Sequence, residues 1–285
     1  MIQDIFPSRL DHIFRNVVPT LEDRFFSFRN ETVLLRIRED GSRELPTFWD
    51  LQKPIEKIKD LTIFLFCVDD IPIYLLQPND IIAVKGQYLR YFPVEDLNHI
   101  LPEWAYFAGI TALHLRNWYE RNVYCGKCGE RMERNRKQRE LTCRNCGNIV
   151  YPHIAPVVIV AVINEDRLLM TKYADSSLSQ WVLISGFVEI GETLEEAAKR
   201  EVFEETGIHI KDLKYFGSQP WGFSNSVIVG YIARLDGSDE IHLDKRELAA
   251  AVWHPRSNLP KELTDISITY EMIEALRIHK KGGLK

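Results

Sequence analysis

Gly186-Phe-Val-Glu-Ile-Gly-Glu192-Thr-Leu-Glu-Glu-Ala-Ala-Lys-Arg200-Glu201-Val-Phe-Glu204-Glu205-Thr-Gly207-Ile208 is the stretch from which the rest of the chain is read. It opens as the end of a strand and runs through a glycine-containing loop. Thr193 then starts a helix, with Glu196 three residues on to complete a capping box. Ala197, Ala198 and the acids favour helix, and Gly207 stops it as a C-terminal cap. Glu201, Glu204 and Glu205 fall at i, i+3 and i+4, so they share one face, and Glu201 with Glu205 is a like-charge i,i+4 pair. A solvated acidic face is the plain alternative. A helix gains nothing from that repulsion unless a cation neutralises it, and an all-oxygen set selects a hard ion, magnesium or manganese. Arg200 can pair with another acid of the loop, Glu192 in particular, and fix the loop on the helix.

Just upstream stand Cys125-Gly-Lys-Cys128 and Cys143-Arg-Asn-Cys146, fourteen residues apart. Two residues between thiolates let both sulfurs point inward at a tight turn, and Gly126, Gly129 and Gly147 supply the backbone freedom such turns need. Four thiolates suit one tetrahedral zinc with no open position, which makes the site structural. A redox dithiol would not need two matched pairs. Between the pairs, Arg134, Arg136, Lys137 and Arg139 put four cations in six residues. They read as a solvated hairpin tip or as contacts to phosphates. The fifth cysteine, Cys67 in LTIFLFCV, reads as a core thiol, and an odd count argues against a disulfide framework.

The glutamate stretch carries every fixed position of the Nudix box, and here the chain resembles the Nudix hydrolases. That resemblance implies an α/β/α sandwich and hydrolysis of a nucleoside diphosphate linked to another group. Ten residues beyond the box, Ser218-Gln-Pro-Trp-Gly-Phe-Ser-Asn-Ser226 is similar to the Ser-Gln-Pro-Trp-Pro-Phe-Pro-x-Ser signature of the NADH pyrophosphatases. It departs at Gly222 and Ser224, where proline is usual; both changes are expected to loosen a loop that proline would stiffen. The order of parts, including Tyr151-Pro-His-Ile-Ala-Pro156, resembles the NADH pyrophosphatase and NAD-cap decapping subfamily. The resemblance is specific from about Tyr124 to Trp253. It implies that Glu201, Glu205 and Glu247 ligate catalytic cations, with Glu204 a further ligand or the base; Glu204 and Glu247 are the two candidates for the base. Phe187 and Tyr151 match aromatics that sandwich a base. Gln219, Pro220, Trp221, Gly222, Phe223, Ser224, Asn225 and Ser226 would line the dinucleotide, and Arg90 matches a family arginine loosely. NADH or NAD, or the capped 5′ end of RNA, would be the substrate, and a homodimer is implied. The rivals are another diphosphate such as ADP-ribose, or a non-catalytic ribbon protein that binds RNA.

The wider chain fits a mixed α+β and α/β organisation: an N-terminal mixed domain over 1–121, a zinc ribbon over 122–152 and a Nudix domain over 153–285. TVLLRI, LTIFLFCV and IPIYLLQ read as strands, and 102–122 as a helix with an aromatic stripe. Beyond His153, the strands APVVIVAVI, RLLMTKY, SVIVGYIARL and AAAVWH alternate with helices near 194–206 and 268–281, the pattern of a layered α/β domain. The terminal KKGGLK reads as frayed. With 285 residues and a net charge of −5, bulk charge advertises neither nucleic acid nor an anionic membrane. The longest apolar runs, Leu61–Val68 and Ala155–Ile163, fall short of the roughly 20 residues a membrane helix needs. With no apolar signal core at the start, a cytoplasmic location is expected.

Overall fold

The computed structural model describes residues 1–77, 88–174, 180–260 and 266–278. They fall into two units: one holds 4–153 with 222–224, the other 1–3 with 154–221 and 225–285. The expected frayed end and the last residues of the 268–281 helix lie outside the described residues.

In the unit of residues 4–153, the sheets are built mostly from short strands. β1 (Leu10–Asp11), β2 (Arg24–Phe26), β3 (Phe28–Arg29), β4 (Thr32–Ile37) and β5 (Arg43–Glu44) precede the longer β6 (Thr62–Val68) and β7 (Ile71–Leu76). β8 (Leu89–Pro93) and β9 (Ile100–Leu101) follow, then helix α1 (Trp104–Arg121). One sheet runs β1-β6-β7-β2; a second runs β3-β4-β5-β9, with β8 paired to β4. All of β6 is buried, so its near-continuous apolar run packs on both faces. Cys67 sits in this core beside Phe64 and Tyr74. The aromatic stripe of α1 is core as well, with Trp104, Phe107 and Trp118 buried. The ribbon closes the unit as a three-stranded sheet, β10 (Met132–Arg134), β11 (Leu141–Cys143) and β12 (Ile149–Val150).

The other unit is a sheet between two helices. Its strands are β13 (Ala155–Asn164), β14 (Arg167–Tyr173), β15 (Ile184–Phe187), β16 (Ile210–Trp221), β17 (Ser226–Leu235) and β18 (Leu248–Pro255). The order is β16-β17-β13-β14-β18, with β15 paired to the first half of β13. Helix α2 (Leu194–Thr206) covers one face and α3 (Ile268–Ile278) the other. β13 shows why: Val158, Val160 and Val162 pack with Ala197, Ala198 and Val202 of α2. Ile159, Ala161 and Ile163 pack with Met272, Ile273 and Leu276 of α3. The period of two in a strand sends alternate residues to opposite layers, and both layers are apolar. This is the expected α/β/α sandwich. Residues 1–3 join it: the Ile2 N–H donates to the Ile266 carbonyl at 2.9 Å, and Ile2 is buried.

Candidate active site and cysteine centre

The capping box forms as expected. Thr193 N–H donates to Glu196 Oε2 at 2.8 Å, and Glu196 N–H donates to Thr193 Oγ at 3.2 Å. Gly207 takes φ +69, and its N–H donates to the Phe203 carbonyl at 2.7 Å. With α2 fixed at both ends, Arg200 becomes the hub of the loop. It grips Glu192 in two places, Nε to Oε1 at 2.7 Å and Nη2 to Oε2 at 2.8 Å. Its Nη1 donates to Glu201 at 2.7 Å and Glu204 at 3.0 Å, and Nη2 donates to the Phe187 carbonyl at 3.0 Å. One guanidinium therefore ties the loop, the strand end and two of the box acids together.

The acids differ sharply in surroundings. The carboxyl of Glu201 lies against the backbone of Gly186: a Cβ placed there would stand 1.9 Å from its carboxyl carbon. Only glycine admits that approach. Glu204 is more than half exposed, and Glu247 is exposed as well. Glu205 is 2% exposed, and among the described residues its Oε2 has no hydrogen-bond partner. Burial first, then the charges of Glu201, Glu247, Asp244 and Glu204, push its pKa up to about 8. A buried carboxylate oxygen without a donor is costly, and a divalent cation is the group that answers it. The residues therefore fit the implied ion.

Glu247 is set by backbone rather than by side chain. Its carbonyl accepts the Ala174 N–H at 2.8 Å, next to a register shift between Lys172 and Tyr173. Nothing in the sequence pattern singles out Tyr173. Its hydroxyl lies 2.9 Å from Ser185 Oγ, and burial, then Glu205, Glu201 and Glu247, raise its pKa. The only available signal was its place at the end of β14, two residues beyond Thr171 on an alternating strand.

Ser218–Ser226 is a pair of strand ends and a turn. Ser218 to Trp221 close β16, Ser226 opens β17, and Trp221 is in register with Ser226. Gln219 has no exposed surface. Its Nε2 donates to the Ile266 carbonyl at 2.7 Å and approaches Gln3 Oε1 at 3.3 Å, while its Oε1 accepts the Ile268 N–H at 2.8 Å. This amide pins the start of α3 and the first residues of the chain. Ser226 is buried too, Pro220, Phe223 and Ser224 are exposed, and Asn225 takes φ +55. The expectation that Gly222 loosens this turn is corrected by the packing. A Cβ there would lie 2.3 Å from the Ile110 carbonyl oxygen, so the position has room for glycine and none for proline. Phe187 is about half exposed at the entrance to the box. Arg90 and Tyr151 belong to the other unit. Arg90 is an exposed residue of β8 opposite Leu35. Tyr151 presents an exposed ring, and the Glu140 carboxylate raises the pKa of its hydroxyl.

The cysteine centre is closed. All four sulfurs lie within 4.8 Å of one another, and among the described residues no other such group of His, Cys, Asp or Glu converges as tightly. Two matching turns build it: Gly129 N–H to the Cys125 carbonyl at 2.8 Å, and Gly147 N–H to the Cys143 carbonyl at 2.9 Å. Gly129 and Gly147 take φ +78 and +69; Gly126 is not in the left-handed region. The Lys127 N–H draws the Cys125 pKa down to about 6. Cys146, despite the Asn148 N–H, is pushed up to about 12 by the other sulfurs. One divalent ion resolves that conflict, and four thiolates suit zinc.

Residues 153–276 match the NUDIX domain, and residues 120–151 match the NADH pyrophosphatase zinc ribbon domain. Residues 153–276 are therefore a Nudix domain, preceded by a ribbon of the NADH pyrophosphatase type. It is similar to proteins named NAD-capped RNA hydrolase NudC from Shigella dysenteriae serotype 1 and from Salmonella typhi. Each is 39% identical over 148 residues, 52% of this chain and 57% of theirs. The chain thus spans little more than half the length of the curated relatives it matches. A solved NUDIX hydrolase from Nitrosomonas europaea is 22% identical, with a TM-score of 0.43, over 48% of this chain and 80% of that one. Among the described residues, no helix is long and apolar enough to cross a membrane.

Proposed function

We propose that the chain hydrolyses the diphosphate bond of NAD(H), giving AMP and nicotinamide mononucleotide, and removes NAD caps from RNA. The observation that carries the reading is Glu205, a buried carboxylate with an unpartnered oxygen on the acidic face of a complete Nudix box. The resemblance of the ribbon and of Ser218–Ser226 to NADH pyrophosphatases supports the substrate.

Glu201, Glu205 and Glu247 would hold magnesium or manganese, with Glu204 as a further ligand or the base. Bound there, the ion supplies charge neutralisation for the diphosphate and the leaving oxygen. The chain's own groups do the rest. Arg200 holds the loop and turns Glu204 toward the open face. Glu204 or Glu247, both exposed, accepts the proton of the water that attacks phosphorus as the bridging P–O bond breaks. From the resemblance, Phe187 and Tyr151 are each read as stacking aromatics, and each ring is exposed in its own unit. The reading also carries a homodimer and a cytoplasmic location from the resemblance; light scattering and cell fractionation test them.

Liquid chromatography of products from NADH, NAD, ADP-ribose and NAD-capped RNA, with magnesium or manganese, tests the substrate. Mononucleotide from the nicotinamide substrates is the expected result. Cleavage of ADP-ribose alone would overturn the substrate and leave the diphosphatase chemistry standing.

A further inference from the structure

β14 and β15 bring two hydroxyls together beside the acidic face. Tyr173 closes β14, and its hydroxyl oxygen lies 2.9 Å from Ser185 Oγ on β15. The pair is anchored to the acids at both ends. Ser185 precedes Gly186, the glycine against which the Glu201 carboxyl lies. Ala174, next after Tyr173, donates its N–H to the Glu247 carbonyl at 2.8 Å. Burial first, and then the charges of Glu205, Glu201 and Glu247, raise the Tyr173 pKa, so the phenol feels all three acids. It is not sealed off, because Tyr173 is 38% exposed.

Two hydroxyls carry two protons, and the bond between them uses one. Either oxygen can donate it, and among the described residues neither hydroxyl has another partner. With Ser185 donating, the Tyr173 proton is left over. No carboxylate takes it: among the described residues Glu205 Oε2 has no partner at all. Arg200, the guanidinium of this face, is spent on Glu192, Glu201, Glu204 and the Phe187 carbonyl. A diphosphate arriving here is an anion among anions. Beyond the cation, it needs donors fixed in the wall, and the phenol is one with a proton to give.

We propose that the Tyr173 hydroxyl, oriented by Ser185, donates a hydrogen bond to a non-bridging oxygen of the diphosphate. The proposal rests on the diphosphatase reading above and adds a donor to it. Tyr173 is then a catalytic residue and Ser185 a positioning residue. A donor already fixed by its neighbour needs little reorganisation as negative charge grows on the phosphoryl oxygens, so the bond strengthens toward the transition state. A neutral donor also does not repel the cation, as a lysine or arginine at the same place would.

The test uses the full chain and two readouts. One is turnover of NADH and ADP-ribose with magnesium. The other is calorimetric binding of the methylene analogue of ADP, whose bridging P–C bond cannot be hydrolysed. Tyr173→Phe is expected to lower kcat/KM on both substrates by roughly ten- to a hundredfold, the scale of a hydrogen bond to a charged group. Binding of the analogue should weaken several-fold, while manganese affinity, read by electron paramagnetic resonance, and Tm stay at parental values. Ser185→Ala should lose less, Ser185→Thr should recover most of that loss, and the double variant should be no worse than Tyr173→Phe alone. Parental turnover and analogue binding in Tyr173→Phe would overturn the proposal. So would a fall in manganese affinity that matches the fall in turnover, which would assign the tyrosine to the ion, and so would losses that add in the double variant. The diphosphatase reading is judged separately. A parent chain that cleaves neither substrate, yet binds the analogue through Tyr173, sinks that reading and keeps the contact; a parent that cleaves NADH with no effect of Tyr173→Phe does the reverse.

Discussion

The cysteine quartet and the glutamate face, the two places where the reading above puts divalent cations, are built in opposite ways. The four sulfurs converge within 4.8 Å on two matched turns, and every ligand position is filled by the chain. The acids range from buried Glu205 to exposed Glu204 and Glu247, with Arg200 bridging Glu201, Glu204 and Glu192. A closed tetrahedral set leaves no position for water or substrate; a graded set leaves one side open. Closure suits an ion that holds the fold, and openness suits one that takes part in chemistry.

The largest effect is expected at the closed site. Cys125→Ser should lose zinc and unfold the ribbon, because apparent zinc affinities of about 10–16 kcal/mol in small zinc domains are folding free energy. Elemental analysis with near-ultraviolet circular dichroism checks this; a folded ribbon without zinc would erase the contrast. At the open site the fold should survive and the rate should not. Glu204→Gln is expected to cut turnover by roughly two to four orders of magnitude with unchanged circular dichroism. Turnover near the parental value in that folded variant would remove Glu204 from the chemistry.

A smaller effect comes from proton linkage at Glu205. Its folded pKa of about 8 lies above the ordinary 4.5, so the folded chain binds the proton more tightly than the unfolded one. Stability without added divalent cation is therefore full at low pH and falls as pH rises from 4.5 through about 8. Between about pH 6 and pH 8 the loss is about 2 kcal/mol, or roughly 4 to 8 °C in Tm for a chain this size. Magnesium or manganese should restore it, most at the higher pH, and Glu205→Gln should remove both the slope and the rescue. A flat Tm across that range would detach Glu205 from cation binding.

The local parts of this molecule were legible and the long-range parts were not. The capping box at Thr193 and Glu196, the Arg200–Glu192 pair and the two cysteine turns depend on neighbours a few residues apart, where spacing fixes geometry. Helix α1, Trp104–Arg121, was visible as an apolar period within the expected 102–122. The sheets of residues 4–153 pair two- and three-residue strands across long separations, β1 with β6 and β2 with β7, and strands that short show no period. The inward placement of Gln219 was hidden for a related reason. Its motif suggested a ligand loop, while burial between exposed Ser218 and Pro220 makes it an inward residue of β16. Its partners, Ile266, Ile268 and Gln3, are remote in sequence. The steric demand at Gly222 likewise comes from Ile110, far away in the chain.

The division between a scaffold ribbon and a reacting face is most open to challenge at Tyr151, one residue beyond β12. Its ring is exposed, yet the Glu140 carboxylate raises the pKa of its hydroxyl. Glu140 is itself buried and accepts from Asn135 Nδ2 at 2.5 Å and Gln138 Nε2 at 2.6 Å. A buried carboxylate held by neutral donors is a demanding neighbour for a tyrosine that merely covers the ribbon. It is a good way to pre-set a stacking surface, because a ring already oriented loses less freedom when a base lands on it. Tyr151→Phe and Glu140→Gln are therefore each expected to raise the KM for NADH by roughly three- to tenfold, on the order of 1 kcal/mol of stacking and ordering. The kcat should hold, and the KM for ADP-ribose should move little. Zinc content, measured alongside, reports whether the ribbon has survived. The double variant decides the mechanism: if Glu140 acts through Tyr151, the two losses should not add. Additive losses, or equal losses on both substrates, would return Tyr151 to the scaffold and leave the ribbon with structure alone.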